Sequence, residues 1–135
     1  MKSRDSLLRL KRFQVDEKRR QVSQIESMLA DFQRNIDDLD EQIKVEQERA
    51  GISDPTHYAY PTFAKAAMTR RDNLKTSMND LKVQLDHAKA DLGEAFEELK
   101  KIELLEERNE RMMRQQAEKV EQDRNDEAAA RVSRA

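Results

Sequence analysis

Two histidines, His57 and His87, and two knots of carboxylates, Asp37-Asp38-Asp40-Glu41 and Glu106-Glu107, are the groupings in this chain whose residue types best suit catalysis or metal binding. Histidine offers acid–base chemistry near neutral pH and nitrogen ligands for zinc-like metals. A metal site needs its ligands close together, as HExxH places two histidines on one helix face. Here the histidines lie some 30 residues apart, with no HxxxH or HExxH spacing. The chain has no cysteine, which excludes a thiolate zinc site, a disulfide framework and a cysteine nucleophile. Paired carboxylates act as general acid and base only in a water-poor concavity that shifts a pKa, whereas both knots read as solvated helix faces. There is no Gly-rich phosphate loop. No catalytic residue, no metal and no cofactor is therefore expected, and the chain should act by contact.

The 135 residues are 40% charged, 36% hydrophobic and 4% aromatic. That is too polar for an ordinary globular core, and it suits either a coiled coil or a disordered chain. A formal net charge of −2 argues against nucleic acid as a partner, and Phe13 alone interleaves an aromatic ring with the basic residues. No apolar run approaches the roughly 20 residues that span a bilayer, and the start, MKSRDSLLRLKRF, lacks the apolar stretch of a secretory signal. An intracellular, cytoplasmic protein without direct membrane insertion is expected. Charge is unevenly placed. Residues 1–20 hold eight basic side chains against three acidic, and residues 92–110 hold seven acidic against three basic.

Periodicity separates a coiled coil from disorder. Leu8, Val15, Val22, Leu29, Ile36 and Ile43 recur at steps of seven, with Ile25, Phe32 and Leu39 at the interleaved positions. This sustained 3-4 spacing predicts a helix from about residue 3 to about residue 50. Lys11 and Lys18 take the interleaved positions nearer the N-terminus and should weaken the seam there. A second frame runs through Ala67, Leu74, Leu81, Ala88, Ala95 and Ile102, with Met78, Leu85, Leu92 and Leu99 between them. It predicts a helix from about 62 to about 125 whose seam thins past Ile102. Gly93 falls on the solvated side, as a soft spot.

The segment between them, GISDPTHYAYP (51–61), holds both prolines and both tyrosines. Proline interrupts a helix, so the chain must turn here. Gly51 suits the left-handed close of a helix, Asp54-Pro55 suits a short helical turn, and Thr62 suits a helix cap. Folding back about this turn lays each first-helix seam residue between apolar residues of the second, and sets the basic segment beside the acidic one. The predicted fold is all-α: a long two-helix antiparallel coiled-coil hairpin, one domain, with helices on the order of 70 and 100 Å. From about residue 111 the second helix has no partner. A free chain of this kind should be a monomer. Tyr58, Tyr60 and Phe63 gather at the turn, where they can seal the seam or serve as exposed anchors.

Two stretches, RLKRFQVDEKRRQVSQIE (9–26) and AGISDPTHYAYPTFAKAAMTRRDNL (50–74), resemble the alphaproteobacterial branch of the flagellar export protein FliJ. The resemblance implies a stalk of the flagellar type III export apparatus, cytoplasmic and peripherally associated with the inner membrane. Its implied partners are an export ATPase hexamer, a membrane export gate protein and export chaperones. The ATPase side would be Arg9, Arg12, Phe13, Arg19, Arg20, Arg111 and Met112, and the gate side Leu39, Ile43, Tyr58, Tyr60 and Phe63. Two other readings suit the same pattern. One is a small helical chaperone or adaptor of the prefoldin or tubulin-cofactor type, favoured if Leu7, Leu10, Phe13 and Met112 are exposed. The other is a homodimeric scaffold rod.

Overall fold

The computed structural model describes residues 2–134, with side chains from Arg4 onward, so the Lys2 side chain of the basic segment lies outside the described residues. Two long helices pack against each other, α1 (Lys2–Ala50) and α2 (Thr62–Arg134), and the described residues contain no strand. Neither helix contains an internal proline, and Gly93 is the single internal glycine. Charges complement the helix dipoles, with Asp5 in the first turn of α1, Arg49 in its last, and Arg131 and Arg134 in the last turn of α2. The chain divides into two compact units, Asp16–Gly93 and a terminal unit of Met1–Val15 with Glu94–Ala135.

In the unit Asp16–Gly93 the buried residues follow the heptads. Val22, Ile36, Leu39 and Ile43 are buried on α1, and Ala64, Ala67, Met78, Leu81 and Ala88 on α2. Leu39, Ile43 and Ala67 form one cluster, against which Met68 and Leu74 pack. Ala64 is fully buried, at 0% exposure, although the seam read from the sequence begins only at Ala67. Two cross-helix ion pairs flank this seam, Lys18–Asp91 at 3.9 Å and Arg71–Asp40 at 3.1 Å. The Asp40 hydrogen bond holds the Arg71 guanidinium charged beyond its ordinary range, against a smaller opposing effect of burial.

In the terminal unit Leu8, Val15, Ala95 and Leu99 are buried. Arg4 lies 3.9 Å from the Glu106 carboxylate, whose Oε2 is buried without a hydrogen-bond donor. Lys11 Nζ meets Glu98 Oε2 at 2.9 Å. Lysine at a seam position is therefore no simple loss: Lys11 lays its stem along α2 and sends its charge to an acid at the edge. From Glu110 to Ala129 every residue is exposed. The helix nevertheless continues to Arg134, past the end near residue 125 that the periodicity suggests. Ala128, Ala129 and Ala130 favour helix strongly, and Glu127 stands four residues before Arg131, so local propensity carries the backbone on after the seam has ended.

The Lys11 pair makes a pH prediction. The Lys11 hydrogen bond, followed by its charge and with help from Lys101, holds the Glu98 carboxyl below the ordinary glutamate range. The folded chain thus prefers the ionised carboxylate. The contribution is present above the ordinary range and is lost as pH falls through the lowered value. Glu98→Gln should flatten the decline of Tm on acidification below about pH 4, read by circular dichroism. An unaltered acid slope would mean that this pair does not bind α1 to α2.

Candidate functional site

The turn between the helices is built by short-range hydrogen bonds. Gly51, at φ 69°, closes α1 in the left-handed region. A Cβ there would meet nothing within 4 Å, so conformation and not space calls for glycine. The His57 N–H then donates to the Asp54 carbonyl at 3.1 Å, closing a β-turn in which Pro55 presets φ at the second position. Asp54 Oδ1 accepts the Thr56 N–H at 2.9 Å and the Thr56 hydroxyl at 2.7 Å. The Thr56 backbone bond, then the hydroxyl, holds the Asp54 carboxyl below its ordinary range. A second β-turn follows, the Tyr60 N–H donating to the His57 carbonyl at 3.1 Å, braced by the Ala59 N–H donating to His57 Nδ1 at 3.0 Å.

Two expectations change here. Asp54-Pro55 opens a β-turn rather than a helical turn: Asp54 bonds the Thr56 N–H as a cap would, but the chain turns again at His57, whose carbonyl accepts the Tyr60 N–H, so no helical bond follows. The first helical bond of α2 runs from the Lys65 N–H to the Pro61 carbonyl at 3.1 Å, so Pro61 occupies the cap position and Thr62 is the first helical residue. Pro61 lacks a side-chain acceptor, and its fixed φ does the work of directing the chain into the helix.

The three turn aromatics divide. Tyr60 is buried at 7% exposure, its hydroxyl accepting from Gln47 Nε2 at 2.9 Å and donating to Met68 Sδ at 3.4 Å. It seals the seam and ties α1 to α2. Tyr58 stands 96% exposed, its ring stacked on His57 at 4.7 Å and 24°. Phe63 is exposed on the first turn of α2. Leu39 and Ile43 lie buried in the seam. Of the residues assigned to the gate side, Tyr58 and Phe63 thus face outward, while Leu39, Ile43 and Tyr60 hold the hairpin together.

The residues assigned to the ATPase side are all exposed. Arg9, Arg12, Phe13, Arg111 and Met112 belong to the terminal unit, and Arg19 and Arg20 to the unit Asp16–Gly93. Arg20 is engaged locally by Glu17 at 2.8 Å. Phe13 and Met112 are 56% and 57% exposed, large values for apolar side chains. The sequence reading passes over Leu104 and Leu105, which are equally exposed, as is Met113 on a late position of the thinning seam. The signal was present, since Leu104 and Leu105 fall off the seam frame, where a solvated helix face has no need of leucine. Leu105 and Met112 line a shallow groove with Arg4, Arg108 and Asn109. Nearby, Lys100 Nζ lies 5.9 Å from the Phe96 ring centre. Apolar side chains rimmed by guanidinium groups suit a partner surface that is both apolar and acidic.

Nothing in the described residues gathers the earlier chemical candidates into a site. No group of three or more His, Cys, Asp or Glu could hold a metal ion there. His87 is exposed on α2, and Asp37, Asp38 and Glu41 are exposed on α1. No described helix is long and apolar enough to cross a membrane.

The family model for the flagellar FliJ protein matches residues 1–135. No curated protein and no solved structure matches the chain.

Proposed function

Because the chain belongs to the flagellar FliJ protein family, and so is a component of the flagellar export apparatus, we propose that it serves as the coiled-coil stalk between the export ATPase hexamer and the membrane export gate protein. The ATPase hexamer would hold the terminal unit through Arg9, Arg12, Phe13, Arg111 and Met112, with Arg19 and Arg20 adding charge. The gate protein would meet the turn through Tyr58 and Phe63, with Leu39, Ile43 and Tyr60 keeping that surface in shape. Export chaperones would dock on the exposed apolar residues of the terminal unit. The chain works by contact, without catalysis or cofactor, in the cytoplasm at the inner membrane, and is a monomer of 15.9 kDa when free.

One observation carries this reading: each unit exposes its own chemistry. The terminal unit offers arginines beside Phe13, Leu105 and Met112, and the turn offers two exposed aromatic rings, Tyr58 and Phe63. Large apolar side chains left in water are what protein interfaces are made from. The experiment that tests the assignment is site-specific photo-crosslinking from Met112 and from Tyr58. Met112 should capture the ATPase, and Tyr58 the gate protein.

A second reading rests on a specific observation too. Leu7, Leu10, Phe13 and Met112 are all exposed, which is the arrangement by which small helical chaperones grip clients. In that case the Met112 probe would capture a range of unfolded chains in place of one ATPase.

A further inference from the structure

The turn contains a titratable group whose hydrogen bonding depends on its protonation state. His57 Nδ1 accepts the Ala59 N–H at 3.0 Å, and an imidazole nitrogen accepts only when it carries no proton. The turn as built therefore holds neutral histidine with its proton on Nε2. A protonated Nδ1 would point a second N–H at the Ala59 N–H, two donors against each other. The ring would have to leave, and its stack with Tyr58 would change with it. The Asp54 carboxyl, held by Thr56, feels the charge of His57 as the least of its influences. Asp54 and the Tyr58 hydroxyl are the titratable groups beside the ring. Among the described residues no charged side chain of α1 or α2 has a hydrogen bond or ion pair with His57.

We propose that His57 is a proton-operated switch of the turn: neutral, it braces Ala59 through Nδ1; protonated, it releases Ala59 and re-aims the exposed Tyr58 ring. The rest of the turn stays closed, because the Tyr60 N–H bonds the His57 backbone carbonyl and the Tyr60 hydroxyl is held by Gln47 and Met68. The effect is local. It changes what the turn presents without opening the seam, and it does not depend on which partner the turn meets.

The test is NMR on the full-length ¹⁵N-labelled chain from about pH 8 to about pH 5, the span in which histidine charges. At the upper end the His57 nitrogens should report the Nε2–H form. As His57 charges, the Ala59 amide should shift with it and its exchange protection should fall about fivefold, the loss of one ordinary hydrogen bond. Tyr60 protection should hold. His87, exposed on α2, is the internal control: its titration should leave the Ala59 and Tyr60 amides unmoved. In His57→Asn the side-chain oxygen can accept the Ala59 N–H as an Asx turn, so protection should persist at both ends of the range. In His57→Phe it should be absent at both. An Ala59 amide that ignores His57 titration, or that titrates unchanged in His57→Asn, would overturn the switch.

Discussion

A chain ending at Glu110 is expected to leave the cognate export ATPase at its basal rate, while the unit Asp16–Gly93 stays folded. Residues 111–129 are exposed along their whole length and Ala130 is only partly covered, so no core is lost with the removed segment. What is lost is surface: Arg111, Met112, Met113 and Val120. Thermal unfolding should stay close to that of the full chain, since surface changes away from packed positions alter stability by only about 0.5 kcal/mol each. Function and stability should therefore part company in this variant. ATPase stimulation equal to that of the full chain would remove Arg111 and Met112 from the proposed contact.

Ile36→Ala should be the most costly single truncation of the seam, lowering stability by about 2–5 kcal/mol. Ile36 is 3% exposed in the middle of the unit Asp16–Gly93, where helix packing leaves few neighbours able to collapse into the space. Domain stabilities are only about 5–15 kcal/mol in total, so urea melts should show a large fall in midpoint. Met28→Ala, on the same helix but exposed, removes a side chain of similar size and should change stability by no more than about 0.5 kcal/mol. Equal losses from the two would mean that the heptad seam is not what joins the helices.

These two residues also show why the fold was legible. Ile36 sits in an unbroken series at steps of seven and Met28 does not, and that spacing alone separates inside from outside in a two-helix packing. The all-α hairpin, the turn and the family resemblance could all be read from such spacing and from the two quoted stretches. Ala64 falls on the heptad position of Met78 two heptads earlier, with Arg71 between them, and alanine is too common on helix surfaces to stand out. The chemistry of the turn was less legible. Tyr58 and Tyr60 are two positions apart and alike in type, yet one is in water and the other sealed. Side-chain bonds decide which, through Gln47 and Met68, and no residue pattern announces them. The same holds for Thr62, a good capping residue that lost the cap position to Pro61 because the preceding β-turn fixed where the helix begins.

The seam lysines were visible as an anomaly, and their consequence was not. Lys11 and Lys18 look like weak points in the heptad frame, but each finds a carboxylate on α2, Glu98 and Asp91. Exposed pairs contribute little to stability, so they do not replace leucine. They do favour one register of the two helices over its neighbours, which an apolar seam rich in alanine specifies less sharply.

The most direct test of the proposed stalk is the partner captured from each unit in the assembled apparatus. A photo-crosslinking residue placed at Met112 or at Tyr58 replaces an exposed side chain, so both variants should fold. The stalk account predicts an adduct with the export ATPase from Met112 and with the membrane export gate protein from Tyr58. Capture of the ATPase from Tyr58, or of neither partner from either position, would contradict it.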